Sequence, residues 1–161
     1  MKTVKLDINY TEYSSIDEME PQDIELVKVA IEAQKGSYAP YSTFNVGAAL
    51  RLEDGTIVKG ANQENAAYPS GLCAERTAMF AASANNPGKA MLSLAIVGGF
   101  NGTLSDTPCS PCGACRQVIS GVEDRFNHPV RILLYGTEGV YECSGIDALL
   151  PLRFVDADMR L

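Results

Sequence analysis

Residues Met91–Val97 form a short, nearly unbroken apolar run. A strand with one face in water alternates polar and apolar residues, whereas a run without alternation belongs to a strand buried on both faces. Val130–Tyr135 has the same character. Two such strands require chain packed above and below them, and the stretches between supply it. A helix is predicted from near Pro21, with Ile24, Val27, Ile31 and Tyr38 on one face, ending before Pro40. Cys73–Ala84 is rich in Ala, Met and Glu without a breaker and reads as a second helix, stopped by Asn85-Asn86-Pro87-Gly88. Pro111 followed by Cys112–Gly121 reads as a third. Asn45–Leu52 and Thr56–Asn62 are strand-like and joined by Glu53-Asp54-Gly55, where Asp-Gly marks a hairpin. Gly139–Cys143 reads as a further strand and Ile146–Leu150 as a last helical turn. The expected fold is α/β: a three-layer α/β/α arrangement around a mixed central sheet of about five strands.

At 161 residues the chain fits one domain, with 46% apolar and 20% charged residues typical of a globular protein. Residues 21–161 are expected to form that domain, and residues 1–20 an extension of unknown role. Its start alternates through Val4, Leu6, Ile8 and Tyr10 before turning acidic, which fits an extra edge strand or a loose arm equally well. The net charge of −7 sits mainly at the ends: −5 over residues 1–25, +1 over 26–137 and −3 over 138–161. No basic stripe exists, so neither nucleic acid nor an anionic membrane is an expected partner. The N-terminus has no apolar targeting segment, and the apolar-rich stretch Met91–Phe100 is too short to cross a bilayer. Five cysteines, an odd number in a chain of this size, point to reduced thiols and a cytoplasmic location.

The chemistry lies in Cys73-Ala74-Glu75 and Pro111-Cys112-Gly113-Ala114-Cys115. A close cysteine pair plus a distant ligand is a common zinc-site pattern. Cys112 and Cys115, at i and i+3, share one face of a helix's first turn. Cys73, at the start of the preceding helix, supplies a third sulfur. Helix N-termini favour the thiolate form that binds metal. Three thiolates on Zn²⁺ leave a net charge of −1, which Arg76 is placed to offset by hydrogen-bonding the sulfurs. Three protein ligands leave a fourth position open, the pattern of a catalytic site. His128 is the only histidine, so a histidine-ligated zinc site of the ordinary kind is not expected, and His128 is given no role. Cys109 and Cys143 read as small buried hydrophobes, although Cys109-Ser110-Pro111-Cys112 does form a second Cys-x-x-Cys pair.

Cys73–Ala78 (Cys-Ala-Glu-Arg-Thr-Ala) together with Pro111–Val118 (Pro-Cys-Gly-Ala-Cys-Arg-Gln-Val) resembles the small, homotetrameric, zinc-dependent cytidine deaminases. The likeness runs from about Tyr38 to Phe154. It includes Tyr38–Ser42, Phe44–Leu50, Asn62–Tyr68 and Leu149-Leu150-Pro151. The first twenty residues lie outside it. The resemblance implies a cytidine deaminase-like fold, one Zn²⁺ per chain held by Cys73, Cys112 and Cys115, and zinc-bound hydroxide attacking C4 of the base. Glu75 would shuttle protons from water to ring N3 and to the departing ammonia. It further implies that Phe44, Asn62, Gln63, Glu64, Ala66, Tyr68 and Ala74 bind substrate, Asn62 and Glu64 by holding the ribose 3′-hydroxyl. Ala66 and Tyr68 would reach a neighbouring subunit's nucleoside, and Phe154 would stack on a base across the interface. The implied activity is hydrolytic deamination of cytidine and 2′-deoxycytidine in pyrimidine salvage, with a small-molecule nucleoside as partner. Two alternatives stand beside it: a deaminase of a modified cytosine nucleoside of the blasticidin type, and a non-catalytic zinc-stabilised module with Cys109 as fourth ligand.

Overall fold

The computed structural model describes residues 1–159; residues 160 and 161, the last two of the expected domain, lie outside the described residues. One mixed sheet organises the chain. Its strands are β1 (Thr11–Tyr13), β2 (Phe44–Leu52), β3 (Ile57–Ala61), β4 (Met91–Phe100), β5 (Arg131–Gly136) and β6 (Gly139–Cys143). They lie in the order β1-β6-β5-β4-β2-β3. The β4–β5 pair is parallel and the other pairs are antiparallel. The sheet has six strands rather than about five because Thr11–Tyr13 adds an edge strand beside β6.

Helix α1 (Pro21–Gln34) covers one face, and α2 (Ala74–Asn85) and α3 (Gly113–Phe126) the other. In β4, Leu94 and Ile96 point into the core under α2 and α3, while Ala95 and Val97 point into the core under α1. That double burial is what an unalternating apolar run requires. On α1 the buried apolar residues are Leu26, Val27, Ala30 and Ala33; Ile24 and Ile31 are only half-buried, and Tyr38 lies beyond the helix and is exposed. Of the expected face, Val27 is fully buried and Ile24 and Ile31 pack at its margin, so the buried face is centred toward Leu26, Ala30 and Ala33. A Cβ on Gly47 of β2 would meet Ala30 O at 2.1 Å, so the helix backbone rests on the strand itself.

The hairpin joining β2 and β3 turns at Glu53-Asp54-Gly55, where Gly55 takes φ +86°. Lys89 donates to Asp54, whose carboxylate also accepts from Thr56 N, and its pKa falls to about 2. A further close approach places the chemistry. A Cβ on Gly60 of β3 would meet Ala74 O at 2.3 Å and Ala78 N at 2.5 Å. The first turn of α2 can therefore press against β3.

Candidate metal centre and active site

Cys73 and Cys112 are the N-cap residues of α2 and α3, each with extended backbone and neither with a side-chain capping bond. Their sulfurs are consequently free to turn away from their own helices and toward each other. Cys73 Sγ lies 3.7 Å from Cys112 Sγ, and Cys112 Sγ 3.5 Å from Cys115 Sγ. All three sulfurs fall within 4.8 Å of one another. Tetrahedral zinc with Zn–S bonds of about 2.3 Å spaces its sulfurs about 3.8 Å apart. The donor set therefore fits the ion, and it is the one such cluster among the described residues.

The electrostatics favour the thiolate at Cys73. Two helix N-termini converge on the cluster, each supplying partial positive charge. Arg76 Nη2 stands 3.5 Å from Cys73 Sγ. The Cys115 hydrogen bond, reinforced by Arg76, holds the Cys73 thiol at about 5. That same hydrogen bond pushes Cys115 upward. Arg76 Nε is buried without a hydrogen-bond partner among the described residues. Arg116 ties the Pro111 carbonyl (2.9 Å) to the Leu149 carbonyl (2.7 Å), bracing the approach to α3 against the last part of the chain.

Glu75 is buried in the first turn of α2. Burial raises its pKa, and the negative Cys73 raises it further. Its carboxylate lies outside the set of donor atoms that share the 4.8 Å neighbourhood. A buried carboxyl beside a metal site, but not part of it, is chemically disposed to accept and return a proton.

A cleft of about 480 Å³ opens next to the cluster, lined by Asn62, Gln63, Glu64, Tyr68, Cys73 and Arg76 among others. Gln63 is pinned by a two-way backbone pair with Leu72 (2.8 and 2.9 Å) and by its Nε2 on Gly36 O (2.9 Å). Asn62 Oδ1 accepts from Ser37 Oγ and from Val46 N, and its Nδ2 donates to Phe44 O at 2.9 Å. Its oxygen is thus committed to the fold, and one N–H remains to donate. Glu64 accepts from Ser42 Oγ and from the backbone N–H of Tyr41 and Ser42, which lowers its pKa. A donor and a charged acceptor therefore face one cleft.

The other expected residues surround this cleft or lie on the surface, Tyr68 among the cleft's lining. Phe44 packs edge-on to Phe100, with centroids 4.9 Å apart. Ala74 is fully buried in the core, leaving its backbone as the only group it can offer. Ala66 is exposed, and Tyr68 is exposed with its ring edge-on to Tyr41 at 5.8 Å. Phe154 is 57% exposed and held through its carbonyl by Gln117 Nε2 at 2.8 Å.

Three residues that sequence reasoning passed over belong to this region. Ser42 and Ser37 orient Glu64 and Asn62, and their short polar side chains, at the end of the Tyr-Ala-Pro-Tyr-Ser loop and just before it, are the only signal that marks them. Cys109, read as a bystander, stands at the Phe44 wall. A Cβ on Gly98 would meet Cys109 Sγ at 2.9 Å and Phe44 Cε1 at 3.0 Å. Burial, with the nearby Glu75 carboxylate, pushes its thiol up to about 11. It is not among the clustered donors.

Residues 20–126 match the family model described as the cytidine and deoxycytidylate deaminase zinc-binding region. The chain is similar to a cytidine deaminase from Halalkalibacterium halodurans, 39% identical over 137 residues, covering 84% of this chain and 96% of that one. A solved cytidine deaminase from Burkholderia pseudomallei aligns with a TM-score of 0.70 at 40% identity, covering 81% of this chain and 98% of that one. A blasticidin-S deaminase from Bacillus cereus is more distant, at 30% identity over 83% of this chain and 92% of that one.

Proposed function

The chain belongs to the zinc-binding cytidine and deoxycytidylate deaminases, and on that footing we propose that it converts free cytidine and 2′-deoxycytidine with water to uridine and 2′-deoxyuridine, releasing ammonia. The observation that carries this reading is the tetrahedral spacing of three sulfurs beside a buried carboxyl that is not one of them. Cys73, Cys112 and Cys115 would hold one zinc ion. Zinc there supplies Lewis acidity, lowering the pKa of a bound water toward neutrality. Glu75 takes a proton from the attacking water, delivers it to ring N3, and supplies the proton that the departing amine needs. One carboxyl serves all three transfers because it alternates between base and acid. Its raised pKa suits a group that must hold the proton between transfers.

Arg76 draws negative charge from Cys73. The free N–H of Asn62 and the carboxylate of Glu64 hold the ribose 3′-hydroxyl as donor and acceptor, Gln63 and the Ala74 backbone complete the binding wall, and Phe44 lies beside the base. Among the described residues the cleft is lined by one cation, Arg76, and by no cationic row for a phosphate chain, which favours a free nucleoside over a base in a polymer. A plain ribose clamp likewise favours the unmodified nucleoside over a blasticidin-type substrate. The chain works as a homotetramer in which Ala66, Tyr68 and Phe154 reach the neighbouring subunit's nucleoside. Its place is pyrimidine salvage in the cytoplasm, where five free thiols stay reduced.

The test is the ultraviolet change from cytosine to uracil. The zinc-loaded protein should deaminate cytidine and deoxycytidine, and a chelator should abolish the change. No change under any metal condition would overturn the reading. Turnover of free cytosine at the same rate would overturn the ribose clamp alone.

A further inference from the structure

Ahead of β1, residues 4–10 alternate strictly. Val4, Leu6, Ile8 and Tyr10 are 67%, 52%, 54% and 54% exposed, and Lys5, Asp7 and Asn9 lie between them. An alternating segment ordinarily turns its apolar side onto a core. Here α1, α2 and α3 already cover the sheet, and none of these four side chains reaches either core cluster. The segment leads directly into β1, a sheet edge paired with β6 on one side only. Tyr10 rests on Tyr141 of β6 with centroids 5.0 Å apart, and Asp7, Ile8 and Asn9 line a surface groove with Pro129, Ser144 and Gly145, so the segment leaves β1 past the end of β6. Lys5 Nζ lies 3.0 Å from Asp7 Oδ1, which places both charges on one side of the segment. An exposed alternating segment that continues a sheet edge is a template for strand pairing.

We propose that residues 2–10 pair antiparallel with the same residues of a second copy of this chain, Leu6 facing Leu6. The pattern itself selects the partner and the register. Only registers that keep the period of two place apolar side chains on a common face. Centring on Lys5 sets Lys5 against Lys5, and centring on Asp7 sets Asp7 against Asp7; like charges directly opposite are destabilising. Centring on Leu6 sets each Lys5 against the other copy's Asp7 and each Val4 against the other copy's Ile8. No other register within the segment pairs those charges. The ion pair now closed within one chain is exchanged for two between chains. A segment complementary to itself in this way takes a second copy in preference to an unrelated strand.

Cysteine crosslinking of the zinc-loaded protein tests the register. Directly opposed residues in an antiparallel pair have Cα atoms about 4.5 or 5.5 Å apart, within the roughly 4.4–6.8 Å that a disulfide spans. Under mild oxidation Leu6→Cys should run as a crosslinked two-chain band on a non-reducing denaturing gel. Val4→Cys alone and Ile8→Cys alone should stay at the unmodified protein's background, while the two co-expressed should crosslink. In the Leu6→Cys background, Lys5→Asp should lose the band, and Lys5→Asp with Asp7→Lys should regain it. A Leu6→Cys band no stronger than background would overturn the proposal. So would equal bands from all three single variants, or failure of the charge swap to restore the band. None of these readouts involves deamination, so the proposal and the enzyme reading stand or fall separately.

Discussion

Ser42 sets how far into acid Glu64 stays charged. Its hydroxyl is the largest cause of the lowered Glu64 pKa, ahead of the Tyr41 and Ser42 backbone N–H groups. A lowered pKa means that the carboxylate persists below its ordinary value of 4.5 as pH falls. Removing the hydroxyl raises that pKa, so the charged form is lost earlier. In Ser42→Ala, KM for cytidine should begin to climb at a higher pH than in the parent, with kcat less affected. Parallel KM profiles for the two proteins would contradict the clamp. At this scale the cysteine cluster and the placing of a buried Glu75 beside it are legible in sequence, because they lie in short local motifs at helix starts, where spacing translates directly into geometry. Cys109 is not, because its contacts with Gly98 and Phe44 join a loop to two strands far apart in the chain. No spacing rule reports such contacts.

Between elements, close backbone approach decides where the site forms. Gly60 allows α2 to seat its first turn on β3, and that turn carries Cys73 and Glu75. A methyl group at position 60 would collide with Ala74 O and Ala78 N, which are backbone and cannot move by side-chain rotation. Gly60→Ala should destabilise the protein by about 1–3 kcal/mol, as overpacking does. It should also lower zinc content, because the displaced turn carries one of the three ligands. Denaturant melts and metal analysis check both, and normal zinc with unchanged stability would contradict the packing argument. The three helices and strands β2 to β6 are legible from hydrophobic pattern and turn chemistry. The contact face of α1 is legible only in part: Val27 lies in it, but Ala30, Ala33 and Gly47 belong to it as well, and small residues carry little hydrophobic signal. The sixth strand was left open because three exposed or half-buried residues pair at the edge without entering the core.

Over the whole molecule, several aromatic side chains remain on the surface. Tyr68 is 73% exposed and Phe154 57% exposed, and neither belongs to the core clusters. Exposed aromatics of this kind are suited to burial in an interface. Light scattering should give a mass near four times the 17.3 kDa of the chain. If Phe154 reaches a neighbour's substrate as proposed, Phe154→Ala should raise KM while leaving zinc content unchanged. A monomer with full activity would remove the cross-subunit roles but leave the zinc chemistry intact. That chemistry rests on Glu75 serving as the proton carrier without ligating the metal. Turnover of cytidine by Glu75→Gln, measured on protein whose zinc content has been determined, tests it most directly. The expected result is a full zinc complement with deamination slowed by at least about 10²–10⁴-fold, the usual contribution of a general acid–base group. Full activity at unchanged zinc content would contradict the account.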